Sequence, residues 1–261
     1  MRIVVTIKQV PDTHEVRLDP RTGTLIREGV PSIINPEDKN AIEMALSLRE
    51  QHGGEVVVIS MGPPQADDAL REALAMGVDR AILLTDRAFA GADTWATATT
   101  LGLAVRKLGD FDLILAGRQA IDGDTAQVGP QLAEYLNVPQ ITYVRALEVT
   151  NGRVSATRTL EDGHEVLETS LPALLTITKD ANKPRYPTAP GIISAYRERQ
   201  VECWGAADIG ATPEGVGLQG SPTQVKRSFS PPPKEPGEVI QAAPAEAARQ
   251  LISRLKQKNL I

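Results

Sequence analysis

Four short, branched apolar runs, separated by stretches of helical periodicity, constrain this chain more than anything else in it. They are RIVVTIKQV (2–10), GEVVVISMG (54–62), RAILLT (80–85) and FDLILA (111–116). Each is shorter than a typical helix and mostly apolar without alternation, so each is expected to be a strand buried on both faces. The helices between them have recognisable ends. Asn35 is a good N-cap for the first, Pro36 suits its first position, and Glu37 and Asp38 favour its positive end. Ala41, Met44, Ala45 and Leu48 form its inward stripe, and Gly53 and Gly54 stop it. Pro63 and Pro64 start a second helix, with Ala69, Leu70, Ala73 and Leu74 inward and Gly77 at its close. Asp93 caps a third, from Thr94 to about Leu108, which offers Trp95, Ala98, Leu101 and Val105 for packing. Four βα repeats predict an α/β fold, a doubly wound parallel sheet, because right-handed crossovers place helices on its faces.

In such sheets ligands sit outside the carboxyl ends of the strands. Here those ends are Thr6 to Lys8, Ser60 to Gly62, and Ala116 onward, which are expected to converge on one crevice. The last end opens the stretch AGRQAIDGDTAQVGPQ (116–131), after which Val128, Leu132, Tyr135 and Leu136 recur at helical spacing. Asp124 with Gln127 three residues on has the form of a capping box. Gly117 and Gly123, lacking Cβ atoms, would let a ligand approach the main chain. Strand, turn and capped helix in this order suit an anion such as a nucleotide phosphate, and equally suit an ordinary βα turn.

Between the first strand and the first helix lies a long polar stretch, 11–36, with a short alternating run at Thr24 to Arg27; a loop or small hairpin of this length is often functional. After Pro139 the pattern changes. ITYVRALEV, RVSATRTLED and HEVLETSLPALLTITKD run in β fashion, with Asn151-Gly152 and Asp162-Gly163 between them, which predicts an antiparallel meander added to the parallel sheet. From Ala181 to Pro236 the chain is rich in Pro and Gly with few apolar runs, and is expected to wrap over its own domain or a partner. A last amphipathic helix begins near Pro244 and carries Ala248, Leu251, Ile252 and Leu255 on one face. The division expected is an α/β domain with its meander over 1–190, then an extended C-terminal arm and helix over 191–261.

Several function classes are disfavoured. A net charge of −5, without a basic block or interleaved aromatics, argues against nucleic acid. The single Cys203 excludes an intrachain disulfide and is expected to be a packed small side chain rather than a nucleophile. Three dispersed histidines, His14, His52 and His164, give little material for a metal site. Gly215 to Gly220 (GVGLQG) matches a dinucleotide fingerprint, but neither follows a strand nor opens a helix. No Walker lysine motif is present. Asp122 and Asp124 suggest capping or hydroxyl hydrogen bonding more than paired acid/base chemistry. With no apolar run of membrane-spanning length and no leader-like start, the expectation is a cytoplasmic chain.

The segment GRQAIDGDTAQVGPQLAEYLNVPQ closely resembles the nucleotide-binding segment of the electron transfer flavoprotein β-subunit family. The resemblance covers nearly the whole chain and includes VVTIKQVPD, NPEDKNAIEMAL, MGPPQADDALREALAMGVDRAILL, ATRTLEDGHEVLETSLPALLTIT and NKPRYPT. It implies a domain like the HUP or adenine nucleotide α hydrolase group. It also implies a heterodimer with an α subunit that holds an electron-delivering FAD, embraced by the C-terminal arm. Carried over residue by residue, it places a nucleotide against Thr6, Asn35, Pro36, Met61, Gly62, Gly117, Arg118, Gln119, Ala120, Ile121, Asp122, Gly123, Asp124, Thr125, Ala126, Gln127 and Val128. Thr6 and Met61 would line the adenine end, the turn Gly123 to Gln127 would offer N–H groups to phosphates, and Asp122 or Asp124 would take ribose hydroxyls or cap the helix.

In most of that family the nucleotide is AMP, and the corresponding segment tends to read Asp-Asp-Asp-Cys-Asn-Gln-Thr. Here Asp122 to Val128 reads DGDTAQV, which is similar to the electron-bifurcating, Fix-type branch, in which a second FAD replaces AMP. Shorter side chains at the turn give a larger nucleotide room. The resemblance to that branch implies NADH as hydride donor to the β-site FAD. One electron then passes to the α-site FAD, and on towards an acyl-CoA dehydrogenase or quinone oxidoreductase; the other passes to ferredoxin or flavodoxin. The dehydrogenase-docking loop of AMP-type relatives presents a Leu near the position of Ala189 and then a lysine-rich run; this chain has TAPGIISAYRERQ there, which puts docking by that anchor in doubt. An AMP-binding carrier subunit and a non-redox nucleotide-binding module are the alternatives.

Overall fold

The computed structural model describes residues 1–12, 31–227, 229 and 236–261. Its first elements are β1 (Arg2–Ile7), β2 (Gln9–Pro11), β3 (Ser32–Ile34), α1 (Pro36–His52), β4 (Glu55–Met61), α2 (Asp67–Met76), β5 (Arg80–Leu84), α3 (Thr94–Leu108), β6 (Leu113–Gly117) and α4 (Val128–Leu136). There follow β7 (Gln140–Thr150), β8 (Arg153–Thr159), β9 (His164–Ser170), β10 (Ala173–Ile177), α5 (Ala189–Arg197), β11 (Glu202–Trp204) and α6 (Pro244–Gln257). Thr24 to Arg27 and His14 lie outside the described residues. The stretch that contains them is bracketed by an antiparallel pair, β2 with β3.

Among the described residues one sheet has the order β11-β5-β4-β1-β6-β10-β7-β8-β9. From β11 to β7 neighbours are parallel, and β7, β8 and β9 form the expected antiparallel meander. Alternate residues of the central strands feed two cores. Ile3, Val5, Val58 and Leu115 join Ile42, Leu46 and Leu70 on the side of α1 and α2. Val4, Val57, Ile59 and Ile114 join Leu101, Val105 and Leu132 on the side of α3 and α4. Burial on both faces is why these strands read as unbroken apolar runs. From β1 the chain steps outward to β4 and β5, then returns to place β6 on the other side of β1. The carboxyl ends of β1 and β6 therefore flank the topological switch point, where doubly wound sheets bind ligands.

One expectation about the later chain is corrected. HEVLETSLPALLTITKD is not one meander strand. It makes β9 and then, past the cis Leu171–Pro172 peptide, β10, which inserts parallel between β6 and β7. All of β10 is buried, the signature of a two-sided strand. The Asn151-Gly152 turn joining β7 to β8 has φ of 51° and 72°, as a tight hairpin turn demands.

Residues 191–225, expected to wrap over their own domain or a partner, belong to a compact unit spanning Met1–Val225. Arg71 on α2 donates to the carbonyl of Ala195 at 2.6 Å, β11 pairs with β5, and Arg80 holds Glu202 at 2.8 Å. Polar anchors do here what the sparse apolar residues cannot. Cys203 is exposed on β11, the edge strand, rather than packed. Gly215 to Gly220 lies in turns that dock on the loop before α3, with Leu218 N donating to the Ala90 carbonyl at 3.0 Å. The second unit, Lys226–Ile261, contains α6, on which Leu251 and Ile252 are exposed. No helix among the described residues is long and apolar enough to cross a membrane.

Candidate functional site

At the switch point the last backbone N–H groups of two neighbouring strands meet one carboxylate. Lys8 N donates to Asp38 Oδ2 at 2.7 Å, and Gly117 N donates to Asp38 Oδ1 at 3.1 Å. Asp38 is buried, and that burial pushes its pKa up to about 7 despite the hydrogen bonds from Asn35, Lys8 and Gly117 and the nearby Lys8 charge, all of which pull it down. Next to it, Glu37 accepts from Gln119 N at 3.1 Å and pairs with the Arg118 guanidinium at 3.2 Å. Asn35 accepts from Ile121 N at 3.1 Å and donates to the Gln119 carbonyl at 2.9 Å. Asn35 is thus the N-cap of α1 by position but makes no side-chain cap bond, because its amide is turned to the 117–121 strand end. Gly117 has no room for a ligand at its missing Cβ either. A Cβ there would stand 2.2 Å from Asp38 Oδ1 and 2.8 Å from Asp38 N.

Beyond Ile121 the chain turns. Asp122, its side chain nearly buried, takes the Lys8 ammonium at 2.7 Å. Gly123 N and Asp124 N both donate to the Ala120 carbonyl. Asp124 and Ala126 are left-handed, at φ 53° and 52°, a conformation uncommon outside glycine. The expected capping box is absent. Asp124 accepts from the Gln119 side-chain amide, Gln127 occupies the N-cap of α4 without a side-chain cap bond, and Gln127 Oε1 takes the Thr94 hydroxyl at 3.2 Å. The N–H groups of Thr125, Ala126, Gln127, Val128 and Gly129 make no hydrogen bond among the described residues. Free N–H groups at the positive end of a helix are a donor set of the kind that can receive an anion.

The carried-over residues fall into three groups. Thr6 and Met61 stand at the carboxyl ends of β1 and β4, on strand positions that alternate toward the α3 and α4 side, and Gly62 N donates to the Leu84 carbonyl. Asn35, Pro36 and Gly117 to Ile121 form the clamp behind the turn. Asp122 to Val128 form the turn itself. Missed from sequence were Lys8, Thr94 and the side-chain roles of Glu37 and Asp38. The acidic pair is what a helix N-terminus favours anyway, so its pattern carried no sign that it reaches across to other backbone.

A profile of the electron transfer flavoprotein domain matches residues 22–208. The chain is 55% identical over 263 residues to the caffeyl-CoA reductase–Etf complex subunit CarD of Acetobacterium woodii, covering 100% of both. It is 55% identical over 261 residues to an electron transfer flavoprotein subunit beta of Thermoanaerobacterium thermosaccharolyticum, again covering 100% of both. The chain belongs to the electron transfer flavoprotein β-subunit family. Protein FixA of Bradyrhizobium diazoefficiens is 46% identical over 263 residues, with 98% of this chain and 91% of that protein covered. The general role of an electron transfer flavoprotein β subunit is an electron-carrying one, and family membership implies a capacity to bind FAD.

Proposed function

We propose that the crevice at the carboxyl ends of β1, β4 and β6, in front of the turn 122–128, holds FAD and that the chain is the β subunit of a cytoplasmic, electron-bifurcating heterodimer. The observation that carries the reading is the row of unbonded N–H groups from Thr125 to Gly129, set in a turn with left-handed Asp124 and Ala126. That donor set fits a phosphate or diphosphate. Small residues at Gly123 and Ala126 favour the larger nucleotide, and no atom lies within 4 Å of where a Cβ on Gly123 would stand. Similarity to a subunit named for a caffeyl-CoA reductase–Etf complex points the same way and supports a partnership of the acyl-CoA reductase type.

A flavin bound there supplies two-electron acceptance from NADH and single-electron delivery, to the α-subunit FAD on one side and to ferredoxin or flavodoxin on the other. The chain's residues bind and orient. Thr125 to Gly129 hold the phosphates, Thr6 and Met61 line the adenine end, and Asp122, tied to Lys8, fixes the turn. The C-terminal unit provides the contact with the α subunit, and electrons leave towards an acyl-CoA dehydrogenase or quinone oxidoreductase. The test is nucleotide content after co-expression with the α subunit, with extracted nucleotides identified by mass. Two FAD and no AMP per heterodimer is the expected result. One FAD with one AMP would overturn bifurcation and leave a simple carrier, and absence of flavin would leave a non-redox nucleotide module.

A further inference from the structure

The N-terminus of α1 reads out the strand end 117–121 in reverse order. Asp38, Glu37 and Asn35 accept from the N–H groups of Gly117, Gln119 and Ile121, at 3.1 Å in each case. Every second N–H of residues 117–121 is taken by a side chain of one helix end. On the opposite side the same segment is tied to the sheet, since Arg118 N donates to the Ile177 carbonyl at 2.9 Å. A carboxylate also fills the place between the two strand ends where a doubly wound sheet offers N–H groups to a ligand. An anion would have to displace Asp38 from Lys8 N and Gly117 N to sit there.

We propose that Asn35, Glu37 and Asp38 are positioning residues that reserve the first half of the nucleotide turn for structure, and so set the place of the phosphate donors in its second half. The proposal rests on the nucleotide reading above. Gly117, Arg118, Gln119 and Ile121 then touch no phosphate through their N–H groups, although the family resemblance carries them over as ligand contacts. The donors of Gly117, Arg118, Gln119 and Ile121 are already occupied before a nucleotide arrives. The donors from Thr125 to Gly129 are held open because the segment leading to them is pinned at three points. Loss of one pin lets the turn shift toward the crevice, which weakens nucleotide binding without removing any group that touches the nucleotide.

The test is residue-resolved amide hydrogen exchange on the heterodimer, stripped of nucleotide and then reloaded with FAD or AMP. Gly117, Gln119 and Ile121 are expected to be protected equally with and without nucleotide. Thr125 to Gly129 are expected to gain protection, by about tenfold or more, only when nucleotide is present. Glu37→Ala should expose the Gln119 amide and weaken FAD or AMP retention by about tenfold, corresponding to about 1.4 kcal/mol. Glu37→Gln, which keeps an acceptor for Gln119 N, should restore most of it. Asp38→Ala makes the same test at Gly117, and Glu37→Ala stands alone should that variant not fold. Protection at 117, 119 and 121 that appears only with nucleotide would overturn the proposal. So would Glu37→Ala that loses Gln119 protection yet retains nucleotide fully. If neither FAD nor AMP protects Thr125 to Gly129, the nucleotide reading fails, and the clamp is still judged by its three amides in the stripped protein.

Discussion

The Lys8 ammonium stands 2.7 Å from Asp122 Oδ1, joining the end of the first strand to a residue 114 positions later. The lysine is half exposed, whereas the aspartate side chain is nearly buried. Removing the cation leaves Asp122 with its remaining contacts but without its counter-charge in a poorly solvated place. Lys8→Met is expected to cost about 1–3 kcal/mol, read as a lower urea midpoint, and to speed nucleotide loss. A midpoint equal to the parent's would mean that the pair contributes nothing.

Gly117 and Gly123 flank the same turn, and their alanine variants should diverge. At Gly117 a methyl group meets backbone as well as side chain, with Asp38 N and Glu37 C each 2.8 Å away. Neither can move without breaking the start of α1, so Gly117→Ala is expected to cost about 3 kcal/mol or more. Gly123→Ala points into open space and should stay within about 0.5 kcal/mol of the parent. Thermal melts of both variants decide it.

Asp38 makes stability depend on pH with a definite sign. Its folded pKa is raised from 3.8 to about 7, so the folded state binds this proton more tightly than the unfolded chain. The stability it contributes is complete below about pH 4 and is lost as pH rises toward 7, by a few kcal/mol at most. The nearby Lys8 charge and the two strand-end N–H groups oppose the shift but do not cancel burial. Asp38→Asn should flatten unfolding free energy between pH 4 and pH 7, roughly the window between these two pKa values. A pH slope unchanged in that variant would assign the dependence to another group.

The alternation of strands and helices was legible because two-sided burial writes itself as unbroken apolar runs, and so was the parallel sheet that brings the carboxyl ends of β1, β4 and β6 to one edge. The place of β10 was not, because ALLTI looks the same whether it continues a meander or slots between β6 and β7. For Ala181 to Pro236 the sequence left open whether it covers its own domain or a partner, for a different reason. The attachment of residues 181–225 to the domain depends on arginines, such as Arg185 held by Glu43 and Glu50, and Arg199 on the Val78 carbonyl. Long polar side chains carry no periodicity that announces their partners. The capping box failed because Gln119 competes for Asp124 from within the same turn.

Asp93 does two jobs. One oxygen caps α3 through Ala96 N at 3.0 Å, and the other accepts from Thr223 N and Oγ1 at 3.0 and 2.7 Å. Asp93→Ala is expected to cost about 1–2 kcal/mol and to loosen residues 217–225. Limited proteolysis should then cut after Gly215 faster than in the parent, whereas Thr223→Ala should speed cutting with little loss of stability. Equal cutting in all three would show that the segment is held by other contacts.

Tyr143 holds a left-handed backbone at φ 59°, with its N–H on the Thr176 hydroxyl and its ring under the Arg118 guanidinium at 5.7 Å. An aromatic residue there is strained. Tyr143→Gly relieves the backbone but loses the ring contact, so the two effects should nearly cancel. Tyr143→Val keeps the strain, adds a β-branch and loses the ring, and should be less stable than the glycine variant by about 1–2 kcal/mol. Chemical denaturation of the pair measures the difference.

The insertion of β10 between β6 and β7 also has a meaning in time. The turn after β6 leans on Ile177, whose carbonyl takes Arg118 N, and that residue leaves the ribosome long after the turn does. At about 5–20 residues per second, the roughly sixty residues between them take on the order of 3–12 s to synthesise. Throughout that interval β6 lacks the neighbour that β10 supplies, and the turn can be held only by Lys8 and the start of α1. The last tie on the nucleotide turn is therefore the one that translation delivers latest, with the strand that closes the flank of β6.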